Sequence, residues 1–132
     1  MTRIACAQIA PTVGNLHANL ELSAAAIAEA VAAGAEIVVL PELATSGYLF
    51  ADADEARSAA LTAEDVAFDS WQSVAGDAVV IGGYCELGDD GLLYNSALVV
   101  AAGAVTLVGV AGAVRSSAGP VTIEALDLAE ET

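Results

Sequence analysis

The hydrophobic pattern of this chain changes period several times, and each change marks an element. Arg3-Ile4-Ala5-Cys6-Ala7-Gln8-Ile9 alternates loosely and predicts a first strand. Pro11 to Gly14 reads as a loop. Leu16, Leu20, Ala24, Ile27 and Val31 then recur at helical spacing, with Asn15 as N-cap and Gly34 as a left-handed cap at the far end. Ile37 to Leu40 is a continuous apolar run rich in β-branched residues. It predicts a strand buried on both faces, and Pro41 ends it because proline cannot donate a ladder hydrogen bond. Strand, helix and strand with short connections make a βαβ unit with a parallel, right-handed crossover.

The pattern then loosens into a loop through Tyr48 and Phe50. Asp52 and Asp54 have the look of a calcium loop, but the central glycine and closing glutamate do not follow, so Ala51 to Glu55 reads as a solvated turn. Thr62, followed by Glu64 and Asp65, predicts a helix start, with Val66, Phe68, Trp71 and Val74 as its buried face and Gly76 as its end. Val79 to Leu87 predicts a third strand, Gly88-Asp89-Asp90-Gly91 a hairpin turn, and Leu92 to Val100 a fourth strand. Ala101 to Gly103 is a further turn and Ala104 to Val110 a fifth strand. From Ala111 a loop is expected around Gly112, Ser116, Ser117, Gly119 and Pro120. A last strand is expected over Val121 to Leu126, and a frayed acidic tail over Asp127 to Thr132. No repeat or linker divides the chain, so residues 1–132 read as a single domain of the α/β class.

Composition narrows the chemistry. The 132 residues include 57% apolar side chains, enough for a core. No apolar run approaches the roughly 18 residues of a membrane span. The N-terminus is too short and polar for a signal peptide, so a cytoplasmic protein with no membrane partner is expected. Formal net charge is −15, with 18 acids against three arginines and no lysine. Nothing here could neutralise a run of phosphates, which argues against a nucleic-acid partner. The absence of lysine removes Schiff-base and P-loop chemistry. Cys6 and Cys85 both sit in strand-like stretches and read as buried free thiols. With one histidine they make no metal site of known spacing, and no cofactor is expected.

The candidate for chemistry is Glu42. It stands where a central strand stops at Pro41, and in α/β sheets ligands gather at the carboxyl ends of strands. Four stretches around it resemble the nitrilase superfamily of carbon–nitrogen hydrolases: Ile4-Ala5-Cys6-Ala7-Gln8, Gly34 to Glu42, Gly82-Gly83-Tyr84-Cys85-Glu86, and Gly91-Leu92-Leu93-Tyr94-Asn95-Ser96-Ala97. The resemblance covers residues 1 to about 108. It implies an α-β-β-α sandwich, here partial. It also implies hydrolysis of a small amide, carbamoyl or nitrile compound. In that chemistry a cysteine attacks, a glutamate moves protons and a lysine stabilises the oxyanion. Residue by residue, only the general base carries over, onto Glu42. The family's lysine would lie where this chain reads Leu107-Val108-Gly109-Val110, and nothing beyond Val110 matches the nucleophile.

Cys85 precedes the hairpin and does not match the nucleophile. Glu86 does not match the family's second glutamate. Tyr48 is expected as a wall of the substrate pocket. Trp71 is expected in the core, His17 on the surface, and Tyr94, Asn95 and Ser96 as strand residues bonding neighbouring backbone. Ile123 to Ala129 loosely resembles the strand that closes the family domain, so the sequence reads as an N-terminal portion, truncated or with its catalytic middle deleted. Half a sandwich exposes an apolar sheet face, which leads to an expected homo-oligomer. Two readings stand: a carbon–nitrogen hydrolase by descent, or an inactive fragment serving as an assembly or binding module.

Overall fold

The computed structural model describes residues 1–113, and the side chains of all of these but 106–108 and 110–113. Five strands form one sheet whose spatial order is the chain order. They are β1 (Ile4–Cys6), β2 (Ile37–Val39), β3 (Val79–Leu87), β4 (Leu93–Ala101) and β5 (Ala104–Ala113). The first three run parallel, as the βαβ pattern predicts, and β4 and β5 add antiparallel hairpins. Three helices accompany them: α1 (Leu16–Ala32), α2 (Ala53–Ser58) and α3 (Asp69–Ala75).

Strand parity decides what lies on each face. Val38, Val80 and Val100 share one face with Leu98, and all four are buried. Helices α1 and α3 pack against this face and against each other. The predicted stripe of α1, Leu16, Leu20, Ala24, Ile27 and Val31, is turned into that core. Asn15 caps the helix by accepting from the Ala18 amide at 3.2 Å, and Gly34 closes it at φ +93°. Two polar residues of α1 are buried because both find partners. Asn19 bonds both polar backbone atoms of Thr12 and the carbonyl of Thr45. Ser23 accepts from the Trp71 indole at 2.7 Å.

The opposite face carries Ile4 and Cys6, then Ile37 and Val39, then Val79 and Ile81. None of these is fully buried, and Ile4 is 61% exposed. This corrects two expectations. Among the described residues the β2 run is buried on one face only: Val38 and Leu40 are buried, while Ile37 and Val39 are half-exposed. Cys6 shares the face of Val39 and is exposed, while Cys85 is buried as expected. The upper end of this face is covered by α2, with Leu43, Phe50, Ala56, Ala59, Cys85 and Leu93 forming a second, smaller core.

Other differences have local causes. The expected solvated turn at Asp52 is the start of α2: Asp52 accepts from the Glu55 amide at 2.8 Å, and Glu55 reaches back to the Ala51 amide. That is the reciprocal pattern of a capping box, shifted by one residue on its return arm. The helix expected from Thr62 begins later. Asp65, not Thr62, accepts the first free amide, from Ala67 at 2.9 Å, and a 3₁₀ turn at Val66–Phe68 leads into α3. Val66 therefore stands 77% exposed, whereas Phe68 and Trp71 are buried as expected. β4 starts at Leu93, and β5 continues through Gly112, which pairs with Asn95. The expected strand at 121–126 and the tail at 127–132 lie outside the described residues.

Candidate functional site

The chain leaves β2 at Val39 without leaving the sheet at once. The Leu40 amide donates to Ile81, the Gly83 amide donates to Pro41, and the Ala44 amide donates back to Gly83 at 2.8 Å. Between the last two bonds the backbone bulges over β3 and carries Glu42 across it. Only glycine admits this path. A Cβ at Gly83 would lie 2.6 Å from the Glu42 Cα and 2.6 Å from the Leu43 nitrogen, inside any real contact. Leu43 takes the turn with φ +47°, a left-handed conformation that costs a side-chain-bearing residue of order 1–3 kcal/mol. Its fully buried side chain in the α2 core holds it there. The Ser46 and Gly47 amides both donate to the Leu43 carbonyl and close the turn.

Glu42 is half-buried at this bulge. Its Oε1 accepts a hydrogen bond from the Asn95 side-chain amide of β4. Asn95 is 2% exposed and stands directly opposite Cys85, two positions beyond Gly83 on the same face. The charge of Glu42 also reaches Tyr48: its hydroxyl is raised above the usual phenol value, first by partial burial and then by Glu42. So the two residues singled out in the sequence, Glu42 and Tyr48, lie within electrostatic reach of one another. Tyr48 is 50% exposed.

The hairpin's polar triplet corrects the sequence expectation most directly. Tyr94, Asn95 and Ser96 do not turn to neighbouring backbone. Each donates to a different carboxylate: Tyr94 to Asp90, Asn95 to Glu42, and Ser96 to Glu86 at 3.0 Å. Glu86 accepts a second bond from the Tyr84 hydroxyl at 2.8 Å. Alternation sends Asn95 to the Glu42 face and its neighbours to the other. The sequence reading missed Asn95. The signal that could have found it is its parity with Gly83 across the hairpin.

A family model described as carbon-nitrogen hydrolase matches residues 3–114. The chain belongs to the carbon–nitrogen hydrolase family. Its fold is the α/β fold of the nitrilase superfamily. The chain is similar to the glutamine-dependent NAD(+) synthetase of Rhodobacter capsulatus, with 52% identity over 46 residues, 35% of this chain and 8% of that protein. Among solved structures, the glutamine-dependent NAD+ synthetase of Acinetobacter baumannii in complex with adenosine diphosphate superposes with a TM-score of 0.67. Identity there is 27%, over 81% of this chain and 20% of the other. An amidase from Nesterenkonia sp. gives 0.64 at 23% identity, over 81% of this chain and 41% of that one; this last likeness is one of fold. The chain spans less than half the length of each.

Within this family member the buried thiol is poorly suited to attack. Burial pushes Cys85 up from an ordinary 9.0 to about 11, the opposite of what a nucleophile needs. Tyr84 is raised too, first by burial and then by its hydrogen bond to Glu86 and the charge of that carboxylate. Both groups hold their protons more tightly folded than unfolded. The Cys85 contribution to stability is therefore complete below about 9.0 and is lost as pH rises through about 11. Melts followed by circular dichroism should show Tm falling across that window. Cys85→Ala should flatten part of the fall; an unchanged slope would remove Cys85 from the account. Among the described residues no group of histidine, cysteine, aspartate or glutamate side chains could hold a metal ion, and no described helix is long and apolar enough to cross a membrane.

Proposed function

We propose that this chain carries the general-base part of a site that hydrolyses small amide, carbamoyl or nitrile compounds, with Glu42 as the base. The observation that supports it best is the built position of that carboxylate: half-buried at the end of β2, carried over Gly83 and bonded by Asn95. Such a carboxylate can take the proton of an attacking thiol and return it to a leaving nitrogen. Tyr48, half-exposed and within reach of the Glu42 charge, would contact the substrate. The glutamine-dependent relatives favour a primary carboxamide within that class.

The sequence holds no lysine, Cys85 is buried, and Cys6, though exposed, lies on β1 and does not match the family's nucleophile, so the cation and the nucleophile would be supplied by a second chain. A carboxylate alone does not cleave an amide quickly, because coupled catalytic groups lose most of the rate when one is missing. The chain alone is therefore expected to release no ammonia from glutamine, other small amides or carbamoyl amino acids. A chimera in which residues 3–105 replace the matching stretch of a longer family enzyme, which keeps its own lysine and cysteine beyond that point, is expected to turn over. A folded chimera without activity would sink the proposal.

A second reading is favoured by the same missing lysine: an inactive module that assembles through the half-exposed β1–β3 part of that sheet face. The two readings share one expectation. The apolar row Ile4, Ile37, Val39, Val79 and Ile81 supports association in solution. Sedimentation velocity should detect a species above monomer mass, and a single monomer boundary with cooperative melting would refute it.

A further inference from the structure

We infer that Asn95 is a positioning residue that ties down one oxygen of Glu42, so that Oε2 alone is left to move protons. The inference rests on the reading of Glu42 as the base and adds which of its atoms works. An ionised carboxylate only accepts hydrogen bonds, so the amide of Asn95 must donate to it. That bond occupies Oε1. Asn95 is itself held in place through its strand. It is 2% exposed, it sits in register opposite Cys85, and β4 is pinned through Tyr94 to Asp90 and through Ser96 to Glu86. The backbone of Glu42 is fixed independently by the bonds to Gly83 on either side of it. With both ends of the contact held, the carboxylate has one orientation, and a base held in one orientation is already in reacting geometry.

The test is NMR of the uniformly labelled chain, which needs no turnover. The chain has only three asparagines and two glutamines, so its side-chain amides are readily assigned. The Asn95 amide protons should exchange with water more slowly than those of exposed Asn15, and Glu42→Ala should abolish that protection. The two Glu42 γ-protons should have separate shifts, and Asn95→Ala should collapse the separation. Ser96→Ala, which cuts the neighbouring tie to Glu86, should leave it intact. Asn95 protons that exchange as fast as those of Asn15, or Glu42 γ-protons that stay separate in Asn95→Ala, would overturn the inference. Should Asn95→Ala fail to fold, the exchange comparison in the unmodified chain and in Glu42→Ala decides. Failure of the base reading is distinguishable, because it would appear in the chimera's turnover and not in these spectra. In the chimera, Asn95→Ala should lower kcat by about 10²-fold with KM little changed.

Discussion

Trp71→Ala is expected to destabilise the chain by about 4 kcal/mol, read as a fall in Tm of roughly 15 °C. The indole joins three elements. It belongs to α3, its Nε1 donates to Ser23 of α1 at 2.7 Å, and its ring lies on β3. The glycine beneath shows how closely. A Cβ at Gly82 would come within 2.5 Å of the Trp71 ring. The Phe68 ring meets it edge-on, with centroids 5.2 Å apart. A hole under Trp71 could not fill easily, since Gly82 has no side chain to offer and the sheet backbone is held by its ladder. Sites that cannot collapse give the larger truncation costs. Against a usual total of about 5–15 kcal/mol, this one change removes much of the margin. Trp71→Phe should cost clearly less. It keeps most of the volume, and Ser23 retains its own bond to the Leu20 carbonyl, so no hydroxyl is orphaned. If urea titrations found the alanine and phenylalanine variants equally stable, filling this space would not be what joins the layers.

How far the sequence predicted this depends on how local each signal is. The periodic stripe of α1, its asparagine cap and its closing glycine are contained within the helix, and they agree with the structure. β2 ends at Val39, two residues before the Pro41 that marked Glu42. What could not be read depended on contacts between distant segments. The run Ile37 to Leu40 is as apolar as a doubly covered strand, yet only Val38 and Leu40, on one face, are buried; Ile37 and Val39 on the other are half-exposed. Register was the other gap. Starting β4 at Leu92 pairs Leu87 with Leu92 and sets Tyr94 opposite Cys85. The observed pairing of Leu87 with Leu93 sets Asn95 there instead. One residue of loop length thus decides which side chain faces Glu42. The loop takes that residue because Asp90 accepts from the Leu92 amide at 3.0 Å and the Gly88 amide donates to the Leu92 carbonyl. α2 was missed because six residues offer too little periodicity to stand against the polar run at its start.

Glu42→Gln, placed in the active chimera, is expected to lower turnover by about 10²–10⁴-fold, the usual contribution of a positioned proton-transfer group. Glutamine is the informative replacement. It keeps the length and shape of the side chain, and its carbonyl oxygen can still accept from Asn95, so the bulge over Gly83 and the turn at Leu43 should persist. What it cannot do is take up a proton at neutral pH. The chain alone should therefore melt within about 0.5 kcal/mol of the parent, as changes that leave packing untouched do. Glu42→Asp asks the complementary question. It keeps the charge and shortens the arm, drawing the carboxylate back from Asn95 and from the reacting centre, and misplacement of that size is worth about 10²-fold. A base predicts that both variants lose rate and that only the glutamine form loses the pH dependence of kcat/KM attributable to this carboxylate. A purely structural Glu42 predicts the reverse order, with the isosteric glutamine tolerated and the shorter aspartate destabilising. Full turnover in Glu42→Gln would remove Glu42 from the chemistry and leave the bulge at the end of β2 as architecture alone.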